Sequence, residues 1–236
     1  MRRLCYLVGA VLIASGLFHL GVLLVTHGTW LGPVSYRKPM TFGLSFGVTL
    51  LAVCWVADRL VLRPRTRAWL LGVFAADCVV EVTGITVQAW RHVPSHFNTS
   101  TPFDRGIAMS LAAGGAVLLA VLGTLAVTAF RGRVDAGPDL RLALRAGFAF
   151  LLMGLAAGVV MIARGTVLVN TGHAQEAYDT GGFLKPVHFV TLHAILVLPA
   201  LAVVLARLGW DETRRTRALK AATWLYALAG AVALLL

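Results

Sequence analysis

Four residues of one apolar segment have the spacing of a stripe along one helical face, and two of them are acids that could carry a proton. Asp77, Glu81, Gly84 and Gln88 fall on one face of a helix, and His92 continues this stripe if the helix extends that far. Ionisable groups are costly to bury in lipid, so Asp77 and Glu81 are candidate catalytic residues, and one of them could carry protons. The alternative is a pair of structural acids that are protonated or ion-paired.

Two histidines of other segments lie at the same predicted depth as Glu81. With a helical rise of about 1.5 Å per residue, His19, Glu81 and His193 each lie roughly 10 to 14 Å below the same surface. Imidazole and carboxylate groups suit iron, copper or zinc as ligands. His19 and His193 could instead be the axial ligands of a b-type haem. Both options stay open, as does the alternative that each histidine hydrogen-bonds a neighbouring helix.

A second group of histidines is predicted near the surface. His92 and His96 are four residues apart, but Pro94 disfavours helix at Val93, so they need not share a helical face. The histidines of this group either cap loops or line an entrance to the deeper site: His92, His96, His173 and His188. We add His96 and His188 to the candidate metal ligands.

The composition indicates the kind of chain that carries these candidate residues. Of the 236 residues, 58% are hydrophobic and 13% are charged, a balance that suits lipid rather than water as the solvent. The net charge of +11 does not indicate nucleic-acid binding, because the basic residues lie in short clusters between apolar runs of about twenty residues. No nucleotide-binding or serine-hydrolase motif is present, so those common classes are disfavoured.

The apolar runs predict an all-α membrane bundle of about seven transmembrane helices, which forms a single integral membrane domain over residues 1–236. The predicted spans are approximately 4–26, 39–62, 68–90, 106–130, 140–163, 186–208 and 219–236. Fifteen Lys and Arg residues fall on the side of the amino terminus and six on the other. The positive-inside rule therefore places the amino terminus inside and the carboxyl terminus outside.

The loops predicted to face outward carry a pattern that resembles a known family. The segment from Gln88 to Asp104 contains S-H-F-N followed closely by T-P-F-D, and residues 187–194 read V-H-F-V-T-L-H-A. Together with the order of the spans, these segments resemble a group of uncharacterised bacterial multi-pass membrane proteins. The resemblance implies a location in a bacterial inner or plasma membrane. The resemblance implies no activity, but it favours the residues at its motif positions: Ser95, His96, Asn98, Asp104, His188 and His193. His173 follows N-T-G, which departs from the H-T-x-G order expected there.

These observations favour an outward-facing His/carboxylate site that binds a transition metal or haem for redox or metal-dependent chemistry. A small-molecule substrate or redox partner would then approach from the outer side. One alternative is a proton-coupled small-molecule transporter, in which Asp77 and Glu81 titrate and the histidines relay protons. Another is a structural or assembly membrane protein whose polar groups pack helices.

Overall fold

The computed structural model describes residues 1–132, 134–180 and 182–235. Within these ranges the regular secondary structure is helical, apart from one isolated bridge between Leu60 and Val134. The helices are α1 (Arg2–Val25), α2 (Arg37–Ala57), α3 (Pro64–Trp90), α4 (Pro102–Phe130), α5 (Pro138–Asn170), α6 (Ala174–Thr180), α7 (Lys185–Leu192), α8 (Ala194–Arg207) and α9 (Glu212–Leu234).

Six helical segments of the described chain are long and apolar enough to cross a membrane. They are α1 to α5 and the segment Lys185–Arg207, which comprises α7 and α8. Large apolar side chains are exposed along them, for example Leu7, Val11 and Phe18 of α1, as expected where lipid is the solvent. The protein is therefore an all-helical, multi-pass membrane protein.

The seventh predicted span, 219–236, overlaps α9, which is not among these six segments. The amino-terminal half of α9 carries basic residues that lower its mean hydropathy: Arg214, Arg215, Arg217 and Lys220. The count of seven spans and the positions of the two termini stay predictions.

The first six predicted spans differ most from the helices at two boundaries and at one interruption. α2 ends at Ala57 rather than at residue 62, because the chain beyond it turns and Leu60 pairs with Val134. α5 continues past the predicted limit of 163 to Asn170, since a charged residue such as Arg164 ends an apolar run without ending a helix. The sixth span is interrupted at His193, and the short helix α6 was not predicted.

The described chain divides into two compact units. The first contains Met1–Cys54, Ala68–Leu118 and Met161–Gly182, and the second contains Trp55–Arg67, Leu119–Val160 and Phe183–Leu236. Asp77, Glu81 and His19 belong to the first unit, whereas His188 and His193 belong to the second.

In the first unit, α1 and α2 pack with their backbones in contact. A Cβ atom on Gly43 would lie 2.8 Å from the backbone nitrogen of Gly16, and one on Gly16 would lie 2.7 Å from that of Leu44. Small residues allow this close approach, which is a common way for helices to associate in lipid.

In the second unit, a buried apolar cluster joins α5, α8 and α9, with Phe150, Leu198 and Leu219 among its members. An ion pair between Arg215 and Asp139, 2.6 Å apart, lies in the same unit.

Candidate functional site

Two buried carboxyl groups of α3 face the same point on α4. Asp77 and Glu81 are 8% and 4% exposed. A Cβ atom on Gly114 of α4 would lie 2.5 Å from Glu81 Oε1 and 2.8 Å from Asp77 Oδ1. The missing side chain of Gly114 therefore provides the space that both carboxyl groups occupy. We call Asp77 and Glu81 the carboxyl pair.

The carboxyl pair lies without a counter-ion in the part of the chain that the structure describes. The ion pairs found there involve other acids, and Asp77 Oδ2 is buried with no hydrogen-bond partner. An ionised group taken out of water costs several kcal/mol even after the protein relaxes, and a second negative charge beside it adds repulsion. The chemistry that this arrangement supports best is the holding and release of a proton.

A second polar cluster surrounds Asp104 at the end of α3 and the start of α4. Asp104 is 2% exposed, and its Oδ1 accepts a hydrogen bond of 2.9 Å from Gln88 Nε2. Arg91 forms an ion pair with Asp104 and donates a 2.5 Å hydrogen bond to Gln88 Oε1. Thr101 Oγ1 donates to Asp104 Oδ2 over 2.7 Å. We call Gln88, Arg91, Thr101 and Asp104 the loop-end cluster.

The sequence Thr101-Pro102-Phe103-Asp104 explains why α4 begins where it does. Thr101 Oγ1 accepts a hydrogen bond of 3.1 Å from the backbone N–H of Asp104, which satisfies a donor that the first turn would otherwise leave unpaired. Pro102 stands at the first helical position, where its missing N–H costs nothing. Part of the T-P-F-D pattern is therefore a helix cap.

The short helix α6 carries Tyr178, which lies close enough to this cluster to be affected by its charge. Burial, followed by the negative charge of Asp104, raises the pKa of Tyr178 above its ordinary value. Tyr178 therefore stays neutral at physiological pH.

His19 is held by hydrogen bonds at both ring nitrogens. The indole N–H of Trp90 donates to His19 Nε2 over 3.0 Å, so the proton of the neutral ring is on Nδ1, which donates to the Ser15 carbonyl over 2.7 Å. Tyr36 packs its ring edge against Trp90, with the ring centroids 5.2 Å apart. The structure therefore fits the alternative in which His19 joins helices through hydrogen bonds.

The S-H-F-N segment forms an ordered loop between α3 and α4. Ser95 and Asn98 are each 2% exposed. Ser95 Oγ lies 3.0 Å from His96 Nδ1 and accepts a 3.5 Å hydrogen bond from Lys38, while Asn98 Oδ1 accepts one from the Ser100 N–H. These bonds give the polar motif residues a clear role in shaping the loop.

The same loop is fixed by its backbone and by an aromatic contact. His92 and Phe97 have φ angles of 55° and 63°, which non-glycine residues rarely adopt. The Phe97 ring lies directly on Gly165 of α5, in space that a Cβ atom there would fill. His92 is exposed, so the polar stripe of α3 ends at Gln88 and does not continue to residue 92 as a buried face.

The other candidate histidines have local partners. His188 Nδ1 donates to the Gly154 carbonyl over 2.7 Å, and His193 Nδ1 donates to the Phe189 carbonyl over 2.6 Å. His173 is exposed and lies 3.2 Å from the Thr171 hydroxyl. Across the described residues, no group of three or more His, Cys, Asp or Glu side chains has the arrangement needed to hold a metal ion.

Several residues of these clusters were not among the predicted site residues: Lys38, Trp90, Arg91, Thr101 and Gly114. The sequence alone explains Gly114 as a helix-packing residue and Trp90 as an interfacial anchor. For two of these residues the sequence spacing offered a signal of contact. Arg91 lies three residues after Gln88, and Thr101 lies three residues before Asp104. No signal in the sequence pairs Gly114 with Glu81, because that contact depends on how α3 and α4 align.

Comparisons with protein-family models, with curated proteins and with solved structures find no match to this chain. The resemblance to a bacterial membrane-protein group stays a prediction. The functional conclusion therefore depends on the geometry above.

Proposed function

We propose that the protein is a proton-coupled transporter of the bacterial plasma membrane, in which Glu81 and Asp77 carry the proton and which also conducts protons when its substrate is absent. The observation that supports this function is the burial of two carboxyl groups at one point, against Gly114, where no cation among the described residues pairs with them. Buried acids within membrane helices are typical of proton relays in pumps and transporters.

The proton would be held by the pair rather than by one residue. Two carboxylates that face the same point repel each other, so binding one proton relieves both the repulsion and part of the desolvation cost. Glu81 is the more deeply buried of the two, and we assign it the main role.

Proton flux into proteoliposomes tests this proposal. Purified protein is reconstituted with a pH-sensitive dye inside the vesicles, and a potassium gradient with valinomycin supplies the driving force. The expected result is internal acidification faster than in protein-free vesicles, lost in Glu81→Gln and reduced in Asp77→Asn.

Glu212→Gln is the matched control, since it makes the same chemical change at an exposed residue of α9. It should leave the flux unchanged. The proposal is wrong if the wild-type protein moves no protons, or if Glu81→Gln conducts as well as the wild type.

The metal or haem hypothesis stays a prediction with its own test. Purified protein would show a haem absorption band, or about one metal per chain that is lost in His193→Ala. We favour the transporter, because His19, an essential ligand of the metal and haem hypotheses, already uses both ring nitrogens in hydrogen bonds.

A further inference from the structure

The contact between α3 and α4 alternates between polar and apolar layers. In one polar layer, the carboxyl pair of α3 faces Gly114 of α4. At the helix ends, the loop-end cluster joins Gln88 and Arg91 to Asp104. Between these two polar layers, Gly84 of α3 packs against Leu111 and Ile107 of α4. We call Gly84, Ile107 and Leu111 the apolar step.

The apolar step is tightly packed. A Cβ atom on Gly84 would lie 3.1 Å from Leu111 Cδ2 and 3.4 Å from Ile107 Cγ2, and Leu111 is 4% exposed. Gln88 lies seven positions after Glu81 on α3, which corresponds to about 10 Å along the helix. The direct route from the loop-end cluster to the carboxyl pair is therefore closed by apolar side chains.

An apolar constriction affects protons and metal cations differently. A sodium or potassium ion must lose much of its hydration to pass between leucine and isoleucine side chains, and no polar side chain of the step replaces the lost water. A proton can pass along a transient file of water molecules, because it moves by exchange of hydrogen bonds. A narrow apolar layer consequently favours protons over alkali cations.

We infer that the apolar step makes the carboxyl pair selective for protons, by preventing alkali cations from reaching it from the side of the loop-end cluster. This inference rests on the proposed function and specifies the ion that the site accepts. Leu111 is the main specificity-determining residue, since it makes the closest contact over Gly84. A sodium-coupled site with the same two carboxylates is the competing possibility.

Parallel measurements of sodium and proton uptake test the inference. Proteoliposomes of the wild type, Leu111→Ala and Leu119→Ala are compared for uptake of radioactive sodium and for internal acidification. Leu119 is the matched control, because it belongs to the same helix but is 42% exposed.

The wild type and Leu119→Ala should acidify the vesicles while taking up no more sodium than protein-free vesicles. Leu111→Ala opens the step and should raise sodium uptake several-fold. Ile107→Ser provides a second variant with the same expected direction, in case Leu111→Ala does not fold. Thermal unfolding of each purified variant confirms that it is folded.

Sodium uptake by the wild type would overturn the inference, and so would unchanged sodium exclusion in the folded variants Leu111→Ala and Ile107→Ser. Either result leaves the proposed function intact if Glu81→Gln still abolishes proton flux. The absence of proton flux in the wild type would instead contradict the proposed function itself.

Discussion

The carboxyl pair combines a feature that the sequence predicts with one that it does not. The spacing of Asp77, Glu81, Gly84 and Gln88 predicts a single polar face on α3, and all four are buried. The pairing with Gly114 could not be predicted, because it requires the alignment of two helices whose relative position depends on packing along their whole length.

Replacing Gly114 with alanine tests the importance of the space it leaves. The new Cβ atom would lie 2.5 Å from Glu81 Oε1, so the carboxyl groups must rotate away. Because they are the ends of flexible side chains, the fold should survive, while proton flux should fall several-fold. Gly115→Ala is the control, since no atom lies within 4 Å of the added Cβ. Equal flux in the two variants would argue against a role for this space.

The hydrogen bond that Trp90 donates to His19 should stabilise the folded protein. Trp90→Phe leaves the buried His19 Nε2 without its donor, which should cost about 1–3 kcal/mol of unfolding free energy. Thermal unfolding in detergent should show a lower midpoint. Trp69→Phe makes the same change at a residue that is 74% exposed and should shift the midpoint much less. Similar shifts in both variants would mean that this hydrogen bond does not stabilise the fold.

For the helices, hydropathy predicts the presence of the long apolar helices better than the residues at which they end. Each of the first six predicted spans overlaps a helical segment that is long and apolar enough to cross a membrane. An apolar segment in lipid forms a helix because it must satisfy its backbone hydrogen bonds internally. Helix ends depend on local bonds instead. The cap at Thr101 and the turn before Leu60 involve polar side chains or distant partners that a hydropathy pattern does not contain.

The close contact between α1 and α2 at Gly16 should not tolerate a larger side chain. Gly16→Ala would place a Cβ atom 2.7 Å from the backbone nitrogen of Leu44, and a helix backbone cannot rotate aside as a side chain can. We expect a loss of about 1–3 kcal/mol from overpacking. Gly21→Ala, in the same helix, meets no atom within 4 Å and should be neutral or stabilising by up to about 1 kcal/mol. Chemical denaturation of both variants measures the difference, and a Gly16→Ala protein as stable as the wild type would contradict the packing described for α1 and α2.

At the scale of the whole molecule, the number of spans depends on α9. Its carboxyl-terminal half exposes large apolar side chains, including Leu225, Leu228 and Val232. Their exposure favours contact with lipid and supports the proposal that α9 is a seventh span, although its basic amino-terminal half lowers its mean hydropathy. The basic residues near its start, such as Arg214 and Arg215, would then remain on the inner side.

Reporter fusions measure this topology directly. Alkaline phosphatase, which is active only outside the cytoplasm, should be active when fused after Leu236, whereas a green fluorescent protein fused there should be dark. Fusions after Gly209, which precedes α9, should give the opposite result. If the fusions after both residues report the cytoplasmic side, α9 does not cross the membrane and the count is six.

Infrared spectroscopy of the reconstituted protein can detect the exchangeable proton that we propose the carboxyl pair holds within the membrane. Spectra recorded while the buffer changes from acidic to alkaline should show the loss of a C=O stretching band from a protonated carboxylic acid. This band should shift in deuterated water, be strongly reduced in Glu81→Gln and persist in Glu212→Gln. A wild-type spectrum without such a band, or a band that both Glu81→Gln and Asp77→Asn leave unchanged, would mean that the carboxyl pair does not hold this proton.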